Sequence, residues 1–451
     1  MNLHALAFTR EDIEVEMAAS TDEGKAVPPE LCAESERLMA TDLSWKAAQE
    51  QAGKFLDQMH ALALRPDFPY REPSDLRHIR EERPESPQVP GYSLDRENLL
   101  DRLHGAWLGR AAGCLLGKPV EGWYRERLHG YLRDTNAFPL RGYIRGDVRP
   151  DILQKYEVPT DRGAFIERVE CLPEDDDLNY TVLSHVVLQK HGHSFTSEQL
   201  AQEWLSRLPV LRTFTAERVA YRNLVDGIAP PHSGSYRNPY REWIGAQIRA
   251  DGWGYACPGS PEAASELAWR DACISHVKNG IYGAMWSAAM NAAAFSLDSP
   301  RAIVEAGLAQ IPARCRLADW VRTVMDWHEM GLPYDDACER IHAEWDEKRF
   351  HHWCHVISNA AIVTMALLYG EGDFGASVCC AVQATFDTDC NGATVGSILG
   401  ARLGASRLPE EWTAPLNDTI ETGVVGYQRL RLTDMARMSL DVIEKYKGGE
   451  E

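Results

Sequence analysis

An all-α fold is predicted from three observations. Good helix formers with apolar residues three and four apart fill most of the text after Asp95, alternating strand-like runs are rare, and glycine recurs every fourth residue in two separate stretches. Helices are read over 175–190, 197–207, 261–295, 300–311, 317–329, 335–346, 353–370, 375–383, 391–405 and 433–446. The stretch 128–165 reads as loop or short strand at best. Residues 1–95 stand apart as an N-terminal extension, with helical text around Leu43–Met59 followed by a Pro-, Arg- and Glu-rich strap. The chemistry is expected in 96–451.

The glycines carry the strongest structural signal. Gly105, Gly109, Gly113 and Gly117 form one set; Gly392, Gly396, Gly400 and Gly404 form the other. Four residues are slightly more than one helical turn, so each set makes a nearly straight bare ridge. An interior glycine costs a helix about 1 kcal/mol relative to alanine. Close approach of another backbone, or of a ligand, is the natural compensation. The spacing therefore predicts two tightly packed central helices near 101–117 and 391–405, and it makes Gly113 and Gly117 candidate substrate contacts.

Composition narrows the function. Of 451 residues, 44% are hydrophobic and 25% charged, which suits a globular chain. The net charge of -20 opposes binding of nucleic-acid polymers but leaves small phosphorylated ligands open. No apolar run is long enough to span a membrane, and the acidic start does not resemble a secretory leader, so a cytoplasmic location is expected. Eleven scattered cysteines, without metal-binding spacing, read as reduced thiols.

Two acidic clusters stand out. Asp175, Asp176 and Asp177 follow Pro173-Glu174 and open an apolar helical run; Asp387 and Asp389 immediately precede the second glycine ridge. One or two acids at a helix start are ordinary caps. Four in a row repel one another, and a divalent cation bound by their oxygens removes the conflict. Packing of the glycine ridges would bring the Lys118–Glu121 end of the first against the acids that open the second, which suits a two-metal site.

These motifs resemble the ADP-ribosylglycohydrolase family. LHGAWLGRAAGCLLGKPVEG matches its glycine-rich first helix ending in glutamate, PEDDDLNYTVL its acidic turn, and FDTDCNGATVGSILGA its late acidic motif, in the same order over roughly 98–410. The resemblance implies an orthogonal all-α bundle holding two divalent cations, Mg²⁺ or Mn²⁺. It places Asp175, Asp176, Asp177, Asp387 and Asp389 as metal ligands, with Glu121, Asp176 and Asp389 in catalytic roles. Three positions depart from the family pattern: Cys114 stands where Asp is common, Phe386 replaces a glycine, and Cys390 replaces a threonine. A neutral thiol is a poor partner for a hard cation.

Further substrate contacts are sought in His276, Asn279 and Gly280, from a segment that resembles bacterial members of the family, and in Tyr143 within an Arg-rich loop (Arg133, Arg141, Arg145, Arg149). Asp251, Trp253 and Tyr255 are wall candidates. His191, His193, His351 and His352 have no ligand set nearby in sequence. The expected function is metal-dependent hydrolysis of a ribosyl C1 glycosidic bond in a small-molecule or ADP-ribosylated substrate. A binuclear phosphohydrolase and a non-catalytic ADP-ribose binder are the alternatives.

Overall fold

The computed structural model describes residues 6–85, 89–92, 95–158 and 164–447. These residues fold as an all-α bundle. The sole sheet among them is a two-stranded antiparallel pair, Thr419–Glu421 with Arg429–Arg431, in which Ile420 lies opposite Leu430. No helix among them is long and apolar enough to cross a membrane, and their cysteines are all free thiols.

The helices Arg96–Gly117 and Thr388–Leu403 lie at the centre and pack antiparallel through their glycines. A Cβ built on Gly105, Gly109 or Gly113 would lie 2.4, 2.1 or 1.9 Å from the carbonyl oxygen of Gly400, Gly396 or Gly392. Gly117 would clash in the same way with the Thr388–Asp389 backbone at 2.3 Å. The glycine penalty is thus offset by backbone contact that no side chain would permit. Gly404 is the exception: it caps the second helix at φ +84° instead of extending the ridge. Around this pair, the helices Lys278–Ala294 and Val356–Tyr369 are buried on nearly every face.

Two sequence expectations change. The 261–295 segment is two helices, Pro261–Ala272 and Lys278–Ala294, separated by a turn that ends at Lys278 with φ +45°. The 128–165 stretch begins inside the helix Arg125–Asp134 and contains a second, Pro150–Lys155; part of it (159–163) lies outside the described residues.

The N-terminal helices Arg10–Asp22, Pro29–Ala40 and Lys46–His60 close a small core of their own around Ile13, Leu38, Phe55 and Met59. The strap that follows includes one short helix, Leu76–Glu81. Buried ion pairs fasten this region to the rest: Arg241 to Glu16 and Glu23, each at 2.6 Å, and Arg316 to Glu72 at 2.8 Å.

Candidate metal and active site

The glycine register decides where the acids meet. Because Gly117 abuts Thr388–Asp389, the end of one central helix touches the start of the other, and the Thr388 hydroxyl donates to the Gly117 carbonyl at 2.9 Å. A cavity of about 370 Å³ opens there. Lys118, Glu121, Asp175, Asp176, Asp387 and Asp389 line it, together with Phe214, Glu217, Ile244, Phe350, Trp353 and Cys354. Asp177 lies fully buried at the Asp389 side of this cluster.

Each aspartate has a separate local role. Asp175 caps the helix Asp176–His191 by accepting the Asp177 N–H at 2.9 Å, and its other oxygen receives the Lys118 ammonium at 2.5 Å. Burial opposes its charge, but Lys118 outweighs that and holds the carboxyl below its ordinary range. Asp177 shares the buried Arg110 guanidinium (3.3 Å) with Asp251, while its Oδ2 accepts no hydrogen bond. Asp387 stands at the N-cap position of Thr388–Leu403 yet makes no capping bond. Its Oδ2 lies 4.0 Å from the Cys354 thiol. Asp389 is buried, with Oδ1 unpartnered.

Crowding appears in the protonation equilibria. Burial first, then Asp175, Glu121 and Asp387, push Asp176 well above the usual carboxylate range. Asp389 is raised by burial, then by Glu121 and Asp175. Asp387 is pushed up to about 6, mainly by burial, although hydrogen bonds from Cys390 and Asp389 pull it down. A buried acceptor without a donor costs about 1–3 kcal/mol, more for a charged group. Two such oxygens beside mutually repelling acids fit a cation better than they fit an empty protein interior. Donor atoms of Asp177, Asp389 and Cys390 lie within 4.8 Å of one another, and so do those of Cys114, Asp175 and Asp177.

The chain from 95 to 448 matches the family model for ADP-ribosylglycohydrolase. It belongs to the ADP-ribosylglycohydrolase family. Among solved structures it is similar to an ADP-ribosylglycohydrolase-related protein complex, at 20% identity and a TM-score of 0.45, covering 78% of this chain and 99% of that one. No curated protein matches it in sequence. Phe386 sits at φ +58°, directly after Thr385 at +66°, in the left-handed backbone region that favours glycine.

Several proposed contacts lie away from the cavity. Asn279 is a buried structural group, donating to Glu242 at 2.9 Å and accepting the Leu317 N–H. His276 bonds Ser275, and Gly280 packs on the Arg241 carbonyl. Tyr143 donates to the Trp412 carbonyl at 2.8 Å. Gly113 and Gly117 are occupied by helix packing and offer no surface to a ligand. Asp251, Trp253 and Tyr255 are fully enclosed. In the Arg-rich loop, Arg145 and Arg149 pair with Asp147 and Asp151, and Arg133 covers the Phe138 ring. Small polar groups on helix faces look the same in sequence whether they meet a ligand or a neighbouring backbone.

Sequence reasoning missed Glu217. It lines the cavity, pairs with Arg249, and is nonetheless pushed up to about 7 by burial. It also missed an Asp22–His351–His355 set, in which the histidines are buried and Asp22 is half-buried. There, Nδ1 of His351 accepts from Trp243, and Nδ1 of His355 from the Ile357 N–H. With Nδ1 accepting, each ring carries its proton on Nε2, and His351 Nε2–H donates to Asp22 Oδ2 at 3.1 Å. The His351 contact ties the N-terminal helices to the Phe350–Trp353 segment, while His355 Nε2 has no hydrogen-bond partner among the described residues.

Proposed function

We propose that this family member hydrolyses a ribosyl C1 glycosidic bond, removing ADP-ribose from a modified acceptor or cleaving a related N-riboside with the aid of divalent cations. The observation that carries this reading is the pair of buried, unpartnered oxygens, Asp177 Oδ2 and Asp389 Oδ1, beside a cavity lined by further carboxylates. Mg²⁺ or Mn²⁺ is the family expectation for such oxygen donors. A bound cation would supply Lewis acidity toward a ribose hydroxyl or the attacking water.

The protein groups divide the remaining work. Asp176, Asp387 and Asp389 surround the cavity with negative charge, which stabilises the oxocarbenium character that develops at C1 as the bond breaks. Glu121, exposed at the rim where the helix gives way to Pro119, orients or deprotonates the attacking water. The exposed rings of Phe214 and Phe350, with Trp353, offer an apolar face to the rest of the substrate. A volume of about 370 Å³ accommodates a ribosyl group, and a larger substrate would extend over that aromatic rim. The N-terminal helices act as an appended segment that braces one wall.

A panel of ADP-ribosylated arginine and serine peptides and simple N-ribosides, incubated with the full chain and divalent cations, tests the reading by mass spectrometry. Release of a free ribosyl product supports it. Release of phosphate, or ligand binding without turnover on every substrate, contradicts it.

A further inference from the structure

Three core cysteines lie near the acids, two of them within the glycine-rich motifs. Cys114, on the first central helix, lies against Asp175 and Asp177; Cys390, on the second, lies against Asp177 and Asp389; Cys354 contacts Asp387. All three are buried. Their acids are not equivalent. The Cys114–Asp175–Asp177 group already holds two positive charges, the Lys118 ammonium on Asp175 and the Arg110 guanidinium on Asp177 Oδ1. The Asp177–Asp389–Cys390 group shares only the Arg110 charge, through Asp177, and no described cation pairs with Asp389. Its unpartnered oxygens, Asp177 Oδ2 and Asp389 Oδ1, belong to side chains that are 0% and 3% exposed.

We propose that a single divalent cation of borderline softness, such as Zn²⁺ or Co²⁺, binds between Asp177, Asp389 and the Cys390 sulfur, while Lys118 takes the place of a second ion beside Asp175. This deepens the proposed function, on which it rests, by specifying the metal that the site selects. Oxygen and sulfur ligands at about 2.1 and 2.3 Å from an ion can be no more than about 4.4 Å apart. Donor atoms that lie within 4.8 Å of one another therefore close on an ion with sub-ångström movement at most. Coordination replaces the thiol's S–H bond with a sulfur–metal bond, and the proton passes to solvent. Sulfur favours a borderline cation over Mg²⁺, which prefers a shell of oxygens. With Thr at this position, as in the family pattern, the donor set would be all oxygen.

The test is titration of the metal-free full chain with Co²⁺, Zn²⁺ and Mg²⁺ separately, by calorimetry and near-ultraviolet absorption. One Co²⁺ per chain, with a sulfur-to-cobalt charge-transfer band, is expected. That band should be lost in Cys390→Ser and retained in Cys114→Ser. Cys390→Thr should shift the preference toward Mg²⁺, and circular dichroism verifies that each variant is folded. Binding of two ions, absence of the band, its persistence in folded Cys390→Ser, or tighter binding of Mg²⁺ than of Co²⁺ and Zn²⁺ overturns the proposal. If Mg²⁺ binds without a band and a ribosyl product is still released, only this inference falls. If no cation binds at all, the cation-dependent function falls with it.

Discussion

Gly113 and Gly392 face each other so closely that a Cβ on Gly113 would lie 1.9 Å from the Gly392 carbonyl oxygen. The two central helices meet backbone to backbone at this point, one turn from the acids. Gly113→Ala should therefore cost at least the upper end of the about 1–3 kcal/mol typical of overpacking, because a carbonyl cannot rotate aside as a side chain does. Urea unfolding measures it. Gly142→Ala, where the added methyl would meet nothing within 4 Å, is the control and should be near neutral.

Removing a metal-binding acid should relieve repulsion as well as delete a ligand. Asp389→Ala should abolish high-affinity cation binding, and the metal-free variant should be as stable as the parent or more so, because Asp389 is raised by burial and by Glu121 and Asp175. Calorimetry and thermal melting read the two effects. Unchanged stoichiometry would remove Asp389 from the site.

Lys118 should behave in the opposite way. Burial works against its charge, yet Asp175, with Cys114 and Asp389, holds the ammonium protonated. Lys118→Met leaves a buried Asp175 without its cation and should destabilise the fold by about 3 kcal/mol. Lys118→Arg should recover part of that loss in chemical denaturation.

Glu217 gives a pH signature. Its carboxyl is raised from 4.5 to about 7 by burial, against the pull of Arg249, so the folded state holds its proton more tightly than the unfolded chain does. Its contribution is fully present below about pH 4.5 and is lost as pH rises through about 7. Melting of the metal-free protein across this window should show a falling component that Glu217→Gln removes. An identical profile in the variant would show that Glu217 titrates normally.

Glu121 separates catalysis from binding. Glu121→Gln should keep cation affinity and lower turnover by about 10²–10⁴-fold, the usual share of a general base. Near-parental turnover would leave the chemistry to the aspartates.

What could be read in the sequence was what local periodicity encodes. Glycines four apart specify a ridge without any knowledge of its partner. The shared spacing allows the ridges to pack so that Lys118–Glu121 meets Asp387–Asp389, but their antiparallel register is set by the three-dimensional packing. Partners from segments without a motif could not be read. Glu217 and Cys354 reach the cavity from separate segments of the chain, and Asp22 reaches His351 across 329 positions. His276 and Asn279 misled because a satisfied buried polar group and a ligand contact share one composition. The break at 273–277 escaped because helix formers continue through it, while tertiary packing imposes the turn.

The most direct test of the central claim is to run turnover of an ADP-ribosylated substrate in heavy-oxygen water, with the full chain and its bound cation, and locate the label promptly. Hydrolysis at C1 predicts label on the anomeric carbon of the released ribosyl product, and no label-bearing product from Asp389→Ala. Label in free phosphate, with the glycosidic bond intact, would contradict the account.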